Sequence, residues 1–243
     1  MSLAALRYAA SGSFDDPAAL AQWLYRFGTV PRGPAFDRDF GPDDDPMAVL
    51  GLTIGGSTRR LLESACDASS LAGWYSFART GVEVQTSAAC KLYVSPRPEA
   101  LAVAFPRVID VLVRTEVRSF KVGRGIEGLL RPDKIVAYFD DRADLLRVAA
   151  ALSRALNGCP AQGTPFTHEI GADGMLSSGV DPAGQLTSWR AWVTRQLATS
   201  LIAHRDMSCH ARVEAVLADM RIAGLDPDNW QPYASVSCEE VAS

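Results

Sequence analysis

The chain has 243 residues, enough for one large domain or two small ones, and its 48% apolar and 21% charged content is that of a globular protein soluble in water. A net charge of -4 provides no diffuse basic surface, which argues against nucleic acid as a partner and requires any anion site to be local. There is no apolar run of ~18 residues and no signal-peptide pattern, and the five cysteines and three histidines lack disulfide-frame or metal-ligand spacing, so the reading is cytoplasmic, with no membrane and no metal.

In chain order, Leu20, Trp23, Leu24 and Phe27 recur at helical spacing behind Asp15 or Asp16 and Pro17, which predicts a helix over 17–27 stopped by Gly28. Residues 31–46 are rich in Pro, Gly and Asp and read as an exposed loop. Met47 to Ile54 is apolar. Gly55-Gly56-Ser57-Thr58 lacks the lysine and upstream glycine of a phosphate loop and reads as a turn or linker. Gly73 to Val84 reads as a hairpin with its turn near Thr80-Gly81. A helix is predicted from Pro98 to Arg114, with Leu101, Phe105, Ile109 and Leu112 along one stripe and a kink at Pro106. Another runs from a cap at Asp140 or Asp141 to Leu156 and stops at Asn157-Gly158. Cys159 to Gly184 reads as irregular and, at that length, functional or disordered. Ser188 caps a helix over 189–204, a last helix covers 208–223, and a turn-rich cap follows, with fraying expected after Ser235.

The 24 basic residues comprise 21 Arg and three Lys, and all three lysines fall between residues 91 and 134. An ammonium differs from a guanidinium in that burial or neighbouring cations can make it give up its proton. Lys91-Leu92-Tyr93-Val94-Ser95 alternates as a half-buried strand; Lys121 lies in a second strand running into Gly123, and Lys134 opens a third, Ile135 to Phe139. Three strands of one sheet would carry the lysines toward one cleft. The competing reading makes them edge-strand charges that discourage aggregation. The succession of elements predicts an α+β fold: a single domain with a mixed or antiparallel sheet covered by helices, plus a small helical N-terminal region. The expected boundaries are 1–72, 73–235 and a frayed tail over 236–243.

Several stretches then occur in a suggestive order: Lys91-Leu92-Tyr93-Val94-Ser95, Phe120-Lys121-Val122, and Arg131-Pro132-Asp133-Lys134 leading to Tyr138, followed by Gly163-Thr164-Pro165-Phe166-Thr167, Ser188-Trp189-Arg190 and Gly224-Leu225-Asp226-Pro227 through Pro232-Tyr233. Taken together they resemble the phosphothreonine lyase superfamily, which includes type III secretion effectors, the lyase domains of lanthipeptide synthetases and stand-alone relatives in peptide biosynthesis clusters. The resemblance implies metal-free and cofactor-free β-elimination of phosphate from phosphothreonine or phosphoserine, leaving dehydrobutyrine or dehydroalanine. It implies a phosphorylated precursor peptide as substrate and a separate peptide kinase as partner, in lanthipeptide-like biosynthesis. The alternatives are a non-catalytic phosphopeptide-binding or chaperone module of the same fold, or an effector lyase acting on host signalling proteins.

Carried over residue by residue, Lys121 resembles the base that removes the α-proton, and Lys91 the lysine that holds phosphate beside the general acid. Arg131 and Arg190 match phosphate-clamping arginines, with Lys134 and then Arg195 as further candidates, and Tyr138 resembles an active-site tyrosine. The departure is Tyr93, which stands where the effector lyases carry a histidine as general acid. A phenol with a pKa of ~10 stays protonated at neutral pH and has a proton to give. His168, in the glycine-rich stretch, is the other candidate for that role.

Overall fold

Apolar side chains gather in two cores, and the chain divides with them into two compact units. The first comprises Met1–Gly28, Pro165–Glu169 and Ser178–Ser243; the second comprises Thr29–Thr164 and Ile170–Ser177. The computed structural model describes residues 1–34, 47–71, 73–82, 90–182, 184 and 187–233. The expected Pro/Asp-rich loop beyond residue 34, Val84 of the expected hairpin and the frayed tail lie outside these.

The first unit is helical. Helices α1 (Ser2–Ser11) and α2 (Pro17–Arg26) pack with two later helices, which are numbered below in chain order. Asp16 is the N-cap of α2: its carboxylate accepts from the backbone of Ala18 and Ala19, and Pro17 occupies the first turn, where no donor is needed.

The second unit holds α3 (Ser57–Ala65), β1 (Cys66–Leu71), β2 (Trp74–Arg79), β3 (Cys90–Val94), a 3-10 turn at Pro98–Ala100, α4 (Leu101–Arg114), β4 (Ser119–Gly123), α5 (Gly125–Leu130), β5 (Ile135–Phe139) and α6 (Arg142–Ala155). Two short strands, β6 (His168–Ile170) and β7 (Leu176–Gly179), follow, and the strand order of the seven-stranded sheet is β1-β2-β4-β5-β3-β7-β6. The pairs β1–β2, β2–β4, β4–β5 and β5–β3 are antiparallel. Alternation along the strands sends Phe77, Phe120, Val122, Ile135, Ala137, Phe139, Leu92 and Val94 to one face, where they are buried. That core also contains the stripe Leu101, Phe105, Val108, Ile109 and Leu112 of α4, with Leu145, Val148, Ala149 and Leu152 of α6. The fold is therefore α+β, with helices on one face of an antiparallel sheet, as the succession of elements predicts.

The chain returns to the first unit with α7 (Trp189–Ala203) and α8 (Cys209–Ile222), then a small hairpin of β8 (Leu225–Asp226) and β9 (Gln231–Pro232). Asp141 caps α6 and Ser188 caps α7, as expected. Gly55-Gly56-Ser57-Thr58 is a turn, one of its two readings, closed by Gly56 N donating to Thr53 O, and it leads straight into α3: Gly56 is the N-cap, and the helix buries only Thr58 and Leu62 and so shows little apolar periodicity. Two features lie outside the expectations. Cys66–Leu71 pairs with Trp74–Arg79 in a hairpin that the residues did not mark, because Cys-Asp-Ala-Ser-Ser-Leu is an exposed edge strand without apolar alternation; the expected turn at Thr80-Gly81 is present, with Val82 N donating to Arg79 O, and the strand expected from Val82 to Val84 runs beyond the described residues. The Gly-rich segment after Cys159 contains β6 and β7, strands too short to carry a periodic signal.

One close approach sets the exit from β4. The backbones of Gly123 and Gly128 pass so near each other that a Cβ on either would overlap the other's main chain. Replacing Gly123 by Ala is expected to cost roughly 1–3 kcal/mol, read as a lower midpoint in urea unfolding. Gly33→Ala, with nothing within 4 Å of its added carbon, is the control expected to leave the midpoint in place.

Candidate anion-binding site

Because one face of the sheet is given over to the core, the alternate residues of β2, β4, β5 and β3 share the opposite face. The register places them in rows. Ser76, Lys121, Val136 and Tyr93 form one row; Ser119, Tyr138 and Lys91 form the next along β4, β5 and β3. Adjacent strands lie ~4.8 Å apart, so Lys121 and Tyr93 stand ~10 Å apart at the backbone, with the shorter Val136 between them. Long side chains on either side of a short one form a trough whose floor is Val136.

Aromatic rings link the cations around it. The Tyr138 ring has Lys91 Nζ at 5.5 Å from its centroid and Lys121 Nζ at 5.7 Å. Lys121 Nζ also lies 4.1 Å from the Trp74 ring, and the Arg131 guanidinium carbon lies 4.8 Å from that same ring. Negative ring faces shared between cations keep like charges close without direct contact, each such contact contributing about 0.5–2 kcal/mol. Lys91 is only 8% exposed and Tyr93 3%, whereas Lys121, Tyr138 and Trp74 are half-buried. The trough thus has a buried wall from β3 and a more open wall from β4 and β2.

Arg131 is aimed by its neighbours. Its Nε and one terminal nitrogen donate to the two carboxylate oxygens of Asp133, both at 2.9 Å, a paired geometry that fixes the plane of the guanidinium. The main chain between Leu130 and Lys134 is pinned in turn. Pro132 O accepts from Ser95 Oγ at 2.6 Å and Thr164 Oγ1 at 3.0 Å, and Leu130 O accepts from Gln162 Nε2 at 3.0 Å. Lys134 belongs to this support. Fully buried, its Nζ donates to Pro96 O at 2.8 Å and to Gln162 Oε1 at 2.6 Å. Burial pushes its pKa down to about 7, against the opposing pull of Asp133 and Glu99.

The structure thus brings Lys91, Tyr93, Lys121, Arg131 and Tyr138 onto one face of the second unit and holds Lys134 within its wall. Trp74, Asp133 and Gln162 are the residues that sequence reasoning missed as parts of the site. Asp133 carried a signal, two residues from an arginine, while Trp74 read only as a hairpin aromatic. His168 and Arg190 belong to the first unit. His168 Nδ1 lies 3.2 Å from Asn229 O. Arg190 is buried, donates through Nε to Pro165 O at 3.1 Å and through a terminal nitrogen to Tyr25 O at 2.7 Å, and sits over the Tyr25 ring. Arg195 bonds Thr187 Oγ1 at the surface. Among the described residues no cluster of His, Cys, Asp or Glu could hold a metal ion, and no helix is long and apolar enough to cross a membrane.

No known sequence family matches this chain, and no curated protein matches it in sequence. In structure it is similar to the effector protein from Pseudomonas syringae pv. tomato strain DC3000, with 12% identity and a TM-score of 0.60 over 94% of this chain and 96% of that one. It is also similar to the effector protein from Pseudomonas syringae pv. syringae strain 61, at 13% identity and a TM-score of 0.52 over the same shares. These two likenesses establish a shared fold. A further structure it resembles is the type III effector and phosphothreonine lyase OspF from Shigella flexneri, at 11% identity and a TM-score of 0.41, over 50% of this chain and 74% of that one.

The buried lysine has a measurable consequence. A lysine whose folded pKa is about 7 and whose unfolded pKa is ~10.4 binds fewer protons when folded at any pH between them, so stability rises with pH across that window. The contribution is complete above pH ~10, where both states are neutral, and the full penalty of a buried charge applies below about 7. Urea unfolding of Lys134→Met beside the native chain is expected to remove this rise, so that the native chain's stability relative to the variant increases from about pH 7 to its maximum at alkaline pH.

Proposed function

We propose that this protein binds a phosphorylated peptide in the Lys91–Lys121–Arg131 trough and eliminates phosphate from phosphothreonine or phosphoserine. The observation that carries the reading is the convergence of Lys91 and Lys121 on the single Tyr138 ring, on the sheet face turned away from the core. Support also comes from the motif-bearing stretches around Lys91, Lys121, Arg131 and Tyr138, which occupy neighbouring strands and the segment leading into one of them. A phosphate monoester carries about -1.5 to -2 charge near neutral pH, and a protein of net charge -4 meets it only where cations are gathered.

The proposed roles follow from position. Lys121, on the open wall, takes the α-proton as a free amine; the C–H electron pair forms the Cα–Cβ double bond, and the Cβ–O bond breaks. Lys91 and Arg131 hold the departing phosphate as charge gathers on its bridging oxygen. Tyr93, across Val136 from Lys121, donates the proton that this oxygen takes up, and Tyr138 orients both lysines. Arg190 and His168 stand as further candidates for phosphate binding and proton donation. Since the substrate must already carry phosphate, a kinase acts before this protein. A Ser/Thr-containing precursor peptide of lanthipeptide-like biosynthesis is the substrate that the motif resemblance supports.

Binding without elimination is the second reading, and Tyr93 favours it, because a phenol with a pKa of ~10 is a weaker acid than an imidazolium near 6.5. Mass spectrometry of a phosphothreonine peptide incubated with the protein separates the two: loss of phosphoric acid is expected, and an unchanged, bound peptide would leave only the binding module. Lys121→Arg sharpens the assignment. The variant keeps the charge but cannot accept the α-proton, so phosphopeptide affinity is expected to hold within a few-fold while elimination falls about 10²–10⁴-fold. Activity retained within a few-fold would remove Lys121 from the role of base.

A further inference from the structure

The second unit carries an exposed edge next to the trough. Strand β1 pairs with β2 on one side, and among the described residues nothing pairs with its other side. Asp67, Ala68, Ser69 and Ser70 are all exposed. Natural sheets blunt such edges with lysine, proline, bulges or a covering element. Here only Asp67 is charged, and its neighbours are small.

The backbone direction along this edge can be assigned. Arg79 N donates to Arg118 O, and Thr80 N donates to Ala65 O, so odd positions of β2 face β4 and even positions face β1. With Asp67 opposite Ala78 and Ser69 opposite Ser76, the donors and acceptors of Asp67 and Ser69 are spent on β2, and those of Ala68 and Ser70 point away from it. Cys66 N is already used, closing α3 on Leu62 O. Two successive outward residues therefore present an ordered donor–acceptor row.

Side chains at positions 66, 68 and 70 share the face of Tyr75 and Phe77 and open onto a cavity of about 340 Å³. Its walls are apolar: Met47, Leu52, Leu62, Tyr75 and Phe77, with Cys66 at one end. The Arg59–Glu63 ion pair, 2.6 Å, adds a polar boundary. An edge that satisfies backbone groups beside a pocket that takes a side chain is the arrangement by which extended peptides add to sheets.

We propose that β1 is a docking edge for an extended segment of the peptide substrate, which pairs with Ala68 and Ser70 and lowers one apolar side chain into the adjoining cavity. The identity of the ligand rests on the phosphopeptide reading above. Since the docked segment lies outside β1, three strand spacings or ~14 Å from β4, it is at least about four extended residues from the phosphorylated one. Specificity then comes from sequence flanking the phosphate as well as from the phosphate itself.

The test uses a synthetic peptide on the order of 15 residues, with one phosphothreonine among Val, Leu and Ile flanks, long enough to reach both places at ~3.3 Å per residue, and its unphosphorylated twin. Hydrogen exchange of the native chain is expected to slow at the Ala68 and Ser70 amides with either peptide. Ala68→Pro, which removes an outward N–H without breaking the β1–β2 ladder, is expected to lose about tenfold in affinity for both while inorganic phosphate binds as before. Binding of either peptide without protection at these two amides overturns the proposal, as does a folded Ala68→Pro that binds both peptides like the native chain. Protection by both peptides with no gain from phosphorylation would instead overturn the phosphate reading and leave the docking edge standing. Should Ala68→Pro fail to fold, the exchange measurement on the native chain decides alone.

Discussion

Strand alternation governs this structure. In β4 and β5, and at Phe77 of β2 and Leu92 and Val94 of β3, alternate side chains are apolar and buried in the core shared with α4 and α6, and this commits the residues between them to the opposite face. Lys91, Tyr93, Lys121, Val136 and Tyr138 stand on that face. A one-residue slip of β3 or β4 would turn Lys91 or Lys121 into the core and an apolar residue into the trough, so the burial energy of the core also holds the register of the candidate site.

Within the same sheet the lysines divide by environment. Lys91 and Lys121 approach aromatic faces, where a cation is favoured electrostatically. Lys134 is buried on a carbonyl and an amide oxygen, two acceptors that match the two donors of the neutral amine toward which burial pushes it. What that arrangement provides is a fixed main chain: Gln162 ties Lys134 to the Leu130 carbonyl, Ser95 and Thr164 hold the Pro132 carbonyl, and Asp133 sets the guanidinium plane of Arg131. A clamp for an anion needs donors already in place, because ordering them at the moment of binding would consume part of the affinity.

The proposed elimination and the proposed docking edge make different demands on one sheet. The trough needs rigid, partly desolvated cations; the edge needs small side chains and exposed backbone. Central strands meet the first demand, being paired on both sides, and β1 meets the second as the outermost strand of its end.

Much of this was legible in the residues. The α+β class, the caps to within one residue (Asp15 or Asp16, Asp140 or Asp141) and at Ser188, and the strands around the three lysines follow from periodicity and local hydrogen bonding, which act within a few residues. The alternation of Lys91-Leu92-Tyr93-Val94-Ser95 alone places Lys91 and Tyr93 on one face. What sequence could not supply was strand order: that β4 and β5 lie between β2 and β3, bringing Trp74 beside Lys121 and Tyr138 between Lys121 and Lys91, depends on pairings between residues tens of positions apart. Nor could it distinguish Lys134, first residue of an apolar strand, from Lys91 in a similar position; only the buried oxygens of Pro96 and Gln162, brought in from elsewhere in the chain, make one lysine part of the wall and leave the other facing the trough. Local pattern determines which way a side chain faces, and long-range pairing determines what it meets there.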